Sequence, residues 1–174
     1  VKPAIVEQVV AKIHVGKKNV LNIDLKDFFP TIHYGRIKAV LQLPLFSVKR
    51  FYIEEGEVIN TELFKKFGIK SEFAHLISNF CCLDGKLPQG APTSPIITNI
   101  ISQRLDYKLV KLAKEYHSYY TRYADDITFS CDKNRFKEDF IGKLEEIIKS
   151  EGFLINEKKT RIQKKAVRQE VTGI

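Results

Sequence analysis

The stretch from Tyr119 to Cys131 constrains this chain more than any other. Tyr119-Tyr120-Thr121-Arg122 leads into Tyr123-Ala124-Asp125-Asp126, and Ile127-Thr128-Phe129-Ser130-Cys131 follows. Two runs rich in β-branched and aromatic residues thus meet at an acidic pair, which predicts two strands joined by a tight turn. A carboxylate pair fixed at a hairpin tip can grip hard divalent cations. Asp is also a common turn residue, so the pair alone is equally a surface cap. A second acidic residue, Asp24, ends the apolar run Val20-Leu21-Asn22-Ile23 and changes that balance.

The chain has 174 residues, enough for one domain with a real core. Its net charge of +8 suggests a polyanionic partner, with nucleic acid the commonest, although a solvated basic surface would look the same. No apolar run approaches the roughly 20 residues of a membrane span, and no signal peptide is visible. The three cysteines, Cys81, Cys82 and Cys131, fit neither a disulfide framework nor a zinc site. They read as small buried hydrophobes in a reducing cytoplasm. His14, His33, His75 and His117 are scattered and form no ligand pattern. A chain that starts at Val1, contains no methionine and stops on Glu170-Val171-Thr172-Gly173-Ile174 is expected to be a core cut from something longer.

Periodicity sets out the rest. Ile5, Val6, Val9, Val10 and Ile13 have helical spacing, and Gly16 to Asn19 is a loop. Val20 to Asp24 is a strand, and Phe28-Phe29-Pro30-Thr31 turns the chain. Thr31 or His33 opens a helix to about Leu43. Leu45 to Ile53 is ambiguous, Glu54 to Glu57 is a polar turn, and Thr61 precedes a short helix ending near Gly68. Ser71 caps another helix to about Cys82, and Asp84-Gly85 is a turn. Leu87-Pro88-Gln89-Gly90-Ala91-Pro92-Thr93-Ser94-Pro95 is a stiff loop. One long helix is expected from Ile96 to about Tyr116, with Pro95 in its first turn. Arg135 to Ser150 is an amphipathic helix that Gly152 ends. Phe153 to Asn156 and Thr160 to Gln163 read as short strands flanking Glu157-Lys158-Lys159. The mixture predicts an α+β fold, with helices covering one face of an antiparallel sheet.

Asp24 and Asp125 lie 101 positions apart, each at the end of a predicted strand. If those strands are neighbours, the carboxylates converge. Convergence would support a site for two cations about 3.5–4 Å apart, which stabilise the attacking and leaving oxygens of a phosphoryl displacement. Magnesium suits such a site, and manganese is possible there. Taken singly, Asp24 would be a strand-end cap or an ion-pair partner.

Four motifs in order carry a family resemblance. Asn22-Ile23-Asp24-Leu25-Lys26-Asp27-Phe28-Phe29-Pro30-Thr31-Ile32 resembles the first catalytic motif of bacterial reverse transcriptases. The Leu87–Pro95 loop is similar to their template- and nucleotide-contacting loop, and Tyr123-Ala124-Asp125-Asp126 matches their catalytic box. Gly152-Phe153-Leu154-Ile155-Asn156-Glu157-Lys158-Lys159-Thr160 is similar to the motif that follows. Val171-Thr172-Gly173 resembles a signature of retron enzymes in particular; group II intron and defence-associated enzymes are the next relatives. Retron enzymes also carry Asn-Ala-x-x-His before the first motif, and here Val10-Ala11-Lys12-Ile13-His14 lacks the asparagine.

The resemblance implies a right-hand polymerase palm, with residues 1–18 ending a fingers region and 19–174 forming the palm. It implies an RNA-directed DNA polymerase that adds deoxynucleotides to a primer 3′-hydroxyl with two magnesium ions. Asp24 and Asp125 would be the main metal ligands, with the Leu25 carbonyl as a further one and Asp126 as a weaker ligand or acidic support. Phe29 would be the gate that excludes a ribose 2′-hydroxyl. Gln89 and Gly90 would face the nucleotide and template, and Tyr123 the primer end. Lys158 or Lys159 would protonate the leaving pyrophosphate. The implied partners are an RNA template, a DNA or RNA primer, deoxynucleoside triphosphates and a structured non-coding RNA, with no membrane. The implied setting is the bacterial cytoplasm. The basic cluster Lys158, Lys159, Arg161, Lys164, Lys165 and Arg168 would follow a nucleic acid backbone, and Lys17-Lys18 and Lys65-Lys66 add to the charge.

Other readings are a non-catalytic RNA-binding module, another palm-type nucleotidyl transferase or cyclase, and a plain structural domain. Three acidic residues argue against the first and Phe29 against a ribonucleotide user. The ordered motifs argue against the last.

Overall fold

The structure, a computed structural model, describes residues 12–43, 53–54, 57–58 and 71–164. The expected elements at residues 5–11, 45–52 and 61–68, the Lys65-Lys66 pair, Lys165, Arg168 and the Val171-Thr172-Gly173 signature lie outside them. Twelve elements are described: β1 (Asn19–Asp24), α1 (Phe28–Thr31), α2 (Tyr34–Gln42), β2 (Ile53–Glu54), β3 (Glu57–Val58), α3 (Ser71–Cys81), α4 (Ser94–Ile101), α5 (Gln103–Glu115), β4 (Tyr119–Tyr123), β5 (Asp126–Cys131), α6 (Glu138–Ser150) and β6 (Arg161–Lys164). The chain divides into two units, one of Val1–Thr31 with Ser102–Ile174, the other of Ile32–Ile101.

The first unit is built on an antiparallel sheet of order β4-β5-β1-β6. Register pairs Leu21 with Phe129, Ile23 with Ile127 and Asp24 with Asp126. β4 adds Tyr120 opposite Phe129 and Arg122 opposite Ile127. Because side chains alternate along a strand, Leu21, Ile23, Ile127, Phe129, Tyr120 and Arg122 share one face. That face is apolar apart from Arg122, and α5 and α6 supply its cover. Leu105, Leu109, Phe140, Leu144 and Ile148 are all buried. Phe129 meets Phe140 edge-on at 5.3 Å and Tyr120 at 5.1 Å. Each fully buried Phe or Leu contributes about 1.5–3 kcal/mol.

The opposite face is polar apart from the buried Val20. Thr128 Oγ1 donates to Asn22 Oδ1, and Asn22 Nδ2 donates to Gln163 Oε1, at 3.1 and 3.3 Å. His14 is buried on this face, its Nδ1 2.7 Å from Ser130 Oγ and its Nε2 2.7 Å from Thr121 Oγ1.

The second unit packs α2 against α3 and α4. His33 caps α2, its ring accepting from the Arg36 amide, so of the two expected openings it is His33 that holds. Asp84 and Gly85 have φ of 50° and 74°, the paired positive values of a tight hairpin turn, and Leu83 bridges Lys86 across it. β2 and β3 pair as a short antiparallel ribbon.

Three expectations are corrected. The helix from Ile96 to Tyr116 is two helices, parted at Ser102, whose ψ of 1° leaves helical geometry. Phe153 to Asn156 is not a strand: β6 occupies the edge of β1, leaving only an isolated bridge between Ile155 and Leu25. The helix expected from Arg135 starts at Glu138, because Lys137 is extended at ψ 175°. Gly152 ends that helix as expected. Its φ is 76°, and the Phe153 and Gly152 amides donate to the Ile148 and Lys149 carbonyls.

Candidate active site

β1 and β5 are direct neighbours, so their ends bring the acidic residues together. Asp24 stands opposite Asp126, on the polar face. Asp125 sits in the turn before β5, and its carbonyl accepts the Leu25 amide at 3.1 Å, stitching the turn to the end of β1. Ala124, the other turn residue, has φ of 51°, a conformation that alanine adopts reluctantly. Asp125 and Asp126 are half-buried, while Asp24 is buried.

A loop after Gly152 completes the site. The Asn156 amide donates to the Asp24 carbonyl, and its side-chain Nδ2 donates to Asp24 Oδ1, both at 2.8 Å. The Asn156 carbonyl accepts the amides of Lys159 and Thr160, which curls the loop. That curl delivers Lys159 Nζ to 3.1 Å from Asp24 Oδ2. Asp24, Asp125, Asp126, Lys158, Lys159 and Arg161 are among the residues lining one open cavity of about 460 Å³.

Electrostatics follow from this crowding. Burial pushes the Asp125 carboxyl above its ordinary range, against its own backbone hydrogen bond; the nearby Asp24 charge adds to the rise and Lys159 opposes it. The hydrogen bond to Asp24 and its charge, with those of Asp125 and Asp126, raise the Lys159 ammonium. Lys159 is therefore held protonated. Among the described residues no group of three His, Cys, Asp or Glu side chains is placed to hold a metal ion alone. Two or three hard carboxylates facing open space still fit a magnesium-type cation, which takes few protein ligands and completes its shell with water and substrate phosphate.

The other expected residues are placed as follows. Phe28 is buried and packs on Phe153 at 5.2 Å, making it the core aromatic of the pair. Phe29 meets Phe28 edge-on at 5.5 Å and stays half-buried. Tyr123 pairs with Asp126 and shares its sheet face. Leu25 is buried, and neither it, Phe29 nor Tyr123 is a lining residue of the cavity. Gln89 and Gly90 are exposed in the second unit. Gly90 has φ of 87°, and a Cβ added there would meet nothing within 4 Å. Glycine is required there by the backbone rather than by crowding. In that loop Ser94 Oγ donates to the Pro88 carbonyl.

Sequence reasoning missed Asn156 as the residue that orients Asp24, although it lies inside the Gly152–Thr160 motif. It also missed Asp106 and Arg122. Arg122 Nη1 donates to the Ala124 carbonyl at 3.0 Å, and Asp106 grips the same guanidinium. The available signal was a charged residue at an alternate position otherwise given to the apolar face.

Known proteins resemble this chain in sequence and in fold. A family model described as reverse transcriptase (RNA-dependent DNA polymerase) matches residues 2–173. The chain is 36% identical over 167 residues to the retron Mx65 reverse transcriptase of Myxococcus xanthus, covering 92% of this chain and 36% of that protein. It is 34% identical over 161 residues to the retron Ec86 reverse transcriptase of Escherichia coli, covering 92% and 43%. The chain thus spans well under half the length of these relatives. Telomerase from Candida albicans, solved in complex with a TWJ fragment of telomeric RNA, superposes with a TM-score of 0.59 at 13% identity, covering 99% of this chain and 32% of that one. Apo telomerase from Candida tropicalis gives 0.55 at 14%, covering 97% and 36%. At such identity these two show the fold alone, an α+β palm-like fold as the sequence predicts.

Proposed function

The chain belongs to the reverse transcriptase family, and we propose that it supplies the palm of a retron-type RNA-directed DNA polymerase. Residues 19–174 would form the palm and 1–18 the end of the fingers. The observation that carries this reading is the convergence of Asp24, Asp125, Asp126 and Lys159 on one open cavity.

In this reading Asp24 and Asp125 hold two magnesium ions, with Asp126 and the Leu25 carbonyl as weaker support. Bound there, the ions would lower the pKa of the primer 3′-hydroxyl and neutralise the triphosphate. The protein's own residues do the rest. Asn156 fixes one oxygen of Asp24 and leaves the other to Lys159. Lys159, whose Nζ lies 3.1 Å from Asp24 Oδ2 on the cavity wall, is the lysine this reading assigns to protonate the departing pyrophosphate. Phe29 gates the sugar, Tyr123 supports the primer end, and Gln89 and Gly90 face template and nucleotide. Lys158 and Arg161 add positive charge beside the cavity. The partners would be an RNA template, a DNA or RNA primer, deoxynucleoside triphosphates and a structured non-coding RNA. The setting would be the bacterial cytoplasm.

Primer extension on an RNA template tests this, using the natural full-length protein beside its Asp24→Ala variant. Magnesium-dependent extension that the variant loses is expected. A folded wild type that binds RNA but never extends a primer would favour a binding palm instead.

A further inference from the structure

The catalytic turn is held at two points, one within the sheet and one from the helix side. Within the sheet the Leu25 amide, at the end of β1, holds the Asp125 carbonyl. On the helix side Arg122 Nη1 donates to the Ala124 carbonyl at 3.0 Å. Two successive carbonyls of the turn are thus each tied to a fixed donor. The guanidinium is itself fixed. Its Nε donates to Asp106 Oδ1 at 2.7 Å and its Nη2 to Asp106 Oδ2 at 2.8 Å, a two-point fork. Tyr120 Oη donates to the same Asp106 Oδ1 at 2.7 Å. The Arg122 side chain is only 4% exposed, and Asp106 belongs to α5, which buried Leu105 and Leu109 anchor.

We propose that Asp106 and Arg122 are positioning residues, which hold the strained Ala124–Asp125 turn from the helix side so that the Asp125 carboxylate stays convergent with Asp24. The proposal rests on the polymerase reading for its catalytic consequence. Its structural part stands on the geometry alone. The bond satisfies a donor of the buried guanidinium, and it does so at the carbonyl that directly precedes Asp125. Tyr120 fits the same design. Burial first, and then the Asp106 charge, pushes its phenol well above the ordinary range, so it remains a donor. The network is therefore complete at neutral pH, with Tyr120 and Arg122 both donating to Asp106. Lysine cannot replace Arg122, because an ammonium lacks the planar fork that engages Asp106 and the turn together.

The test is the double variant Asp106→Leu with Arg122→Met in the natural full-length protein. Removing both partners leaves neither charge unpaired, although the Asp106 side chain is 32% exposed and the Tyr120 hydroxyl loses its acceptor. Hydrogen exchange over residues 123–126, thermal unfolding, and turnover with its magnesium dependence are measured together. We expect a melting temperature lower by no more than about a few degrees, faster exchange confined to the turn, and turnover lower by about 10–100-fold with a raised magnesium requirement. Unchanged turn exchange with unchanged turnover would overturn the proposal. Should the double variant not fold, Arg122→Lys is measured in the same way and judged by the same two outcomes. If the wild type itself shows no extension, the polymerase reading fails, and turn exchange still decides whether this network holds the turn.

Discussion

His14 offers a quantitative check on how the segment before β1 is fixed to the sheet. Its imidazole is buried between Ser130 and Thr121, and burial, with the Lys17 charge behind it, lowers its pKa from 6.5 to about 4. The folded state therefore keeps this ring neutral where the unfolded chain has already bound a proton. Between pH 6.5 and about 4 the unfolded state holds more protons, so stability falls as pH is lowered through that window. At about 1.36 kcal/mol per unit the full loss is about 3 kcal/mol. Carboxylates titrate in the same range, so the comparison is with His14→Gln, in which they contribute alike. Urea unfolding of both proteins from pH 7 down to 4.5 isolates the share that belongs to the histidine. At pH 7 the variant is expected to be less stable by about 1–2 kcal/mol, having lost part of the hydrogen-bonded bridge. Near pH 4.5 the gap should close or reverse. A stability difference that is the same at both ends of the window would refute the argument, whatever its size.

Three further outcomes are expected. Burial holds the Asp125 carboxyl above its ordinary range, so the stability it contributes is present at low pH and declines as pH rises through its folded pKa; at pH 7 Asp125→Asn should melt no lower than wild type while nucleotide addition drops to background, and a melting temperature several degrees lower would contradict this. Phe29→Ala should raise ribonucleotide incorporation roughly 10-fold or more relative to deoxynucleotides in single-nucleotide assays; unchanged sugar discrimination would locate the gate elsewhere. Gly152→Ala places a Cβ at φ of 76° and should cost about 1 kcal/mol in chemical denaturation, an effect absent if the cap does not hold α6.

What the sequence revealed follows from how far apart the deciding residues lie. The β4–β5 hairpin was legible because two strand-forming runs flank their own turn, and the Gly152 cap because it is a single local signal. The break at Ser102 was hidden, since Ile97, Ile101, Leu105 and Leu109 continue one helical stripe straight through it. Phe153–Asn156 has strand composition, yet whether it pairs depends on β6, which takes the edge of β1. The convergence of Asp24 and Asp125 was readable only as a condition on neighbouring strands. The hold of Asn156 on Asp24 spans 132 positions and leaves no local trace.

The sheet register is what joins these local features to the chemistry. Along β4, Thr121 and Tyr123 fall on the polar face while Tyr120 and Arg122 fall on the helix face. Along β1 and β5 the same alternation sends Asp24 and Asp126 to the polar face and Ile23 and Ile127 to the core. A slip of one residue in β4 would exchange the two sets, exposing Tyr120 to solvent and taking Arg122 away from Asp106. The Tyr120–Phe129 contact and the pairing of the buried Arg122 guanidinium with Asp106 both penalise that slip. The interactions that fix the register are therefore the same ones that set where the acidic turn emerges. A purely polar change on the helix side of the sheet can in this way alter chemistry on the other side without touching a carboxylate.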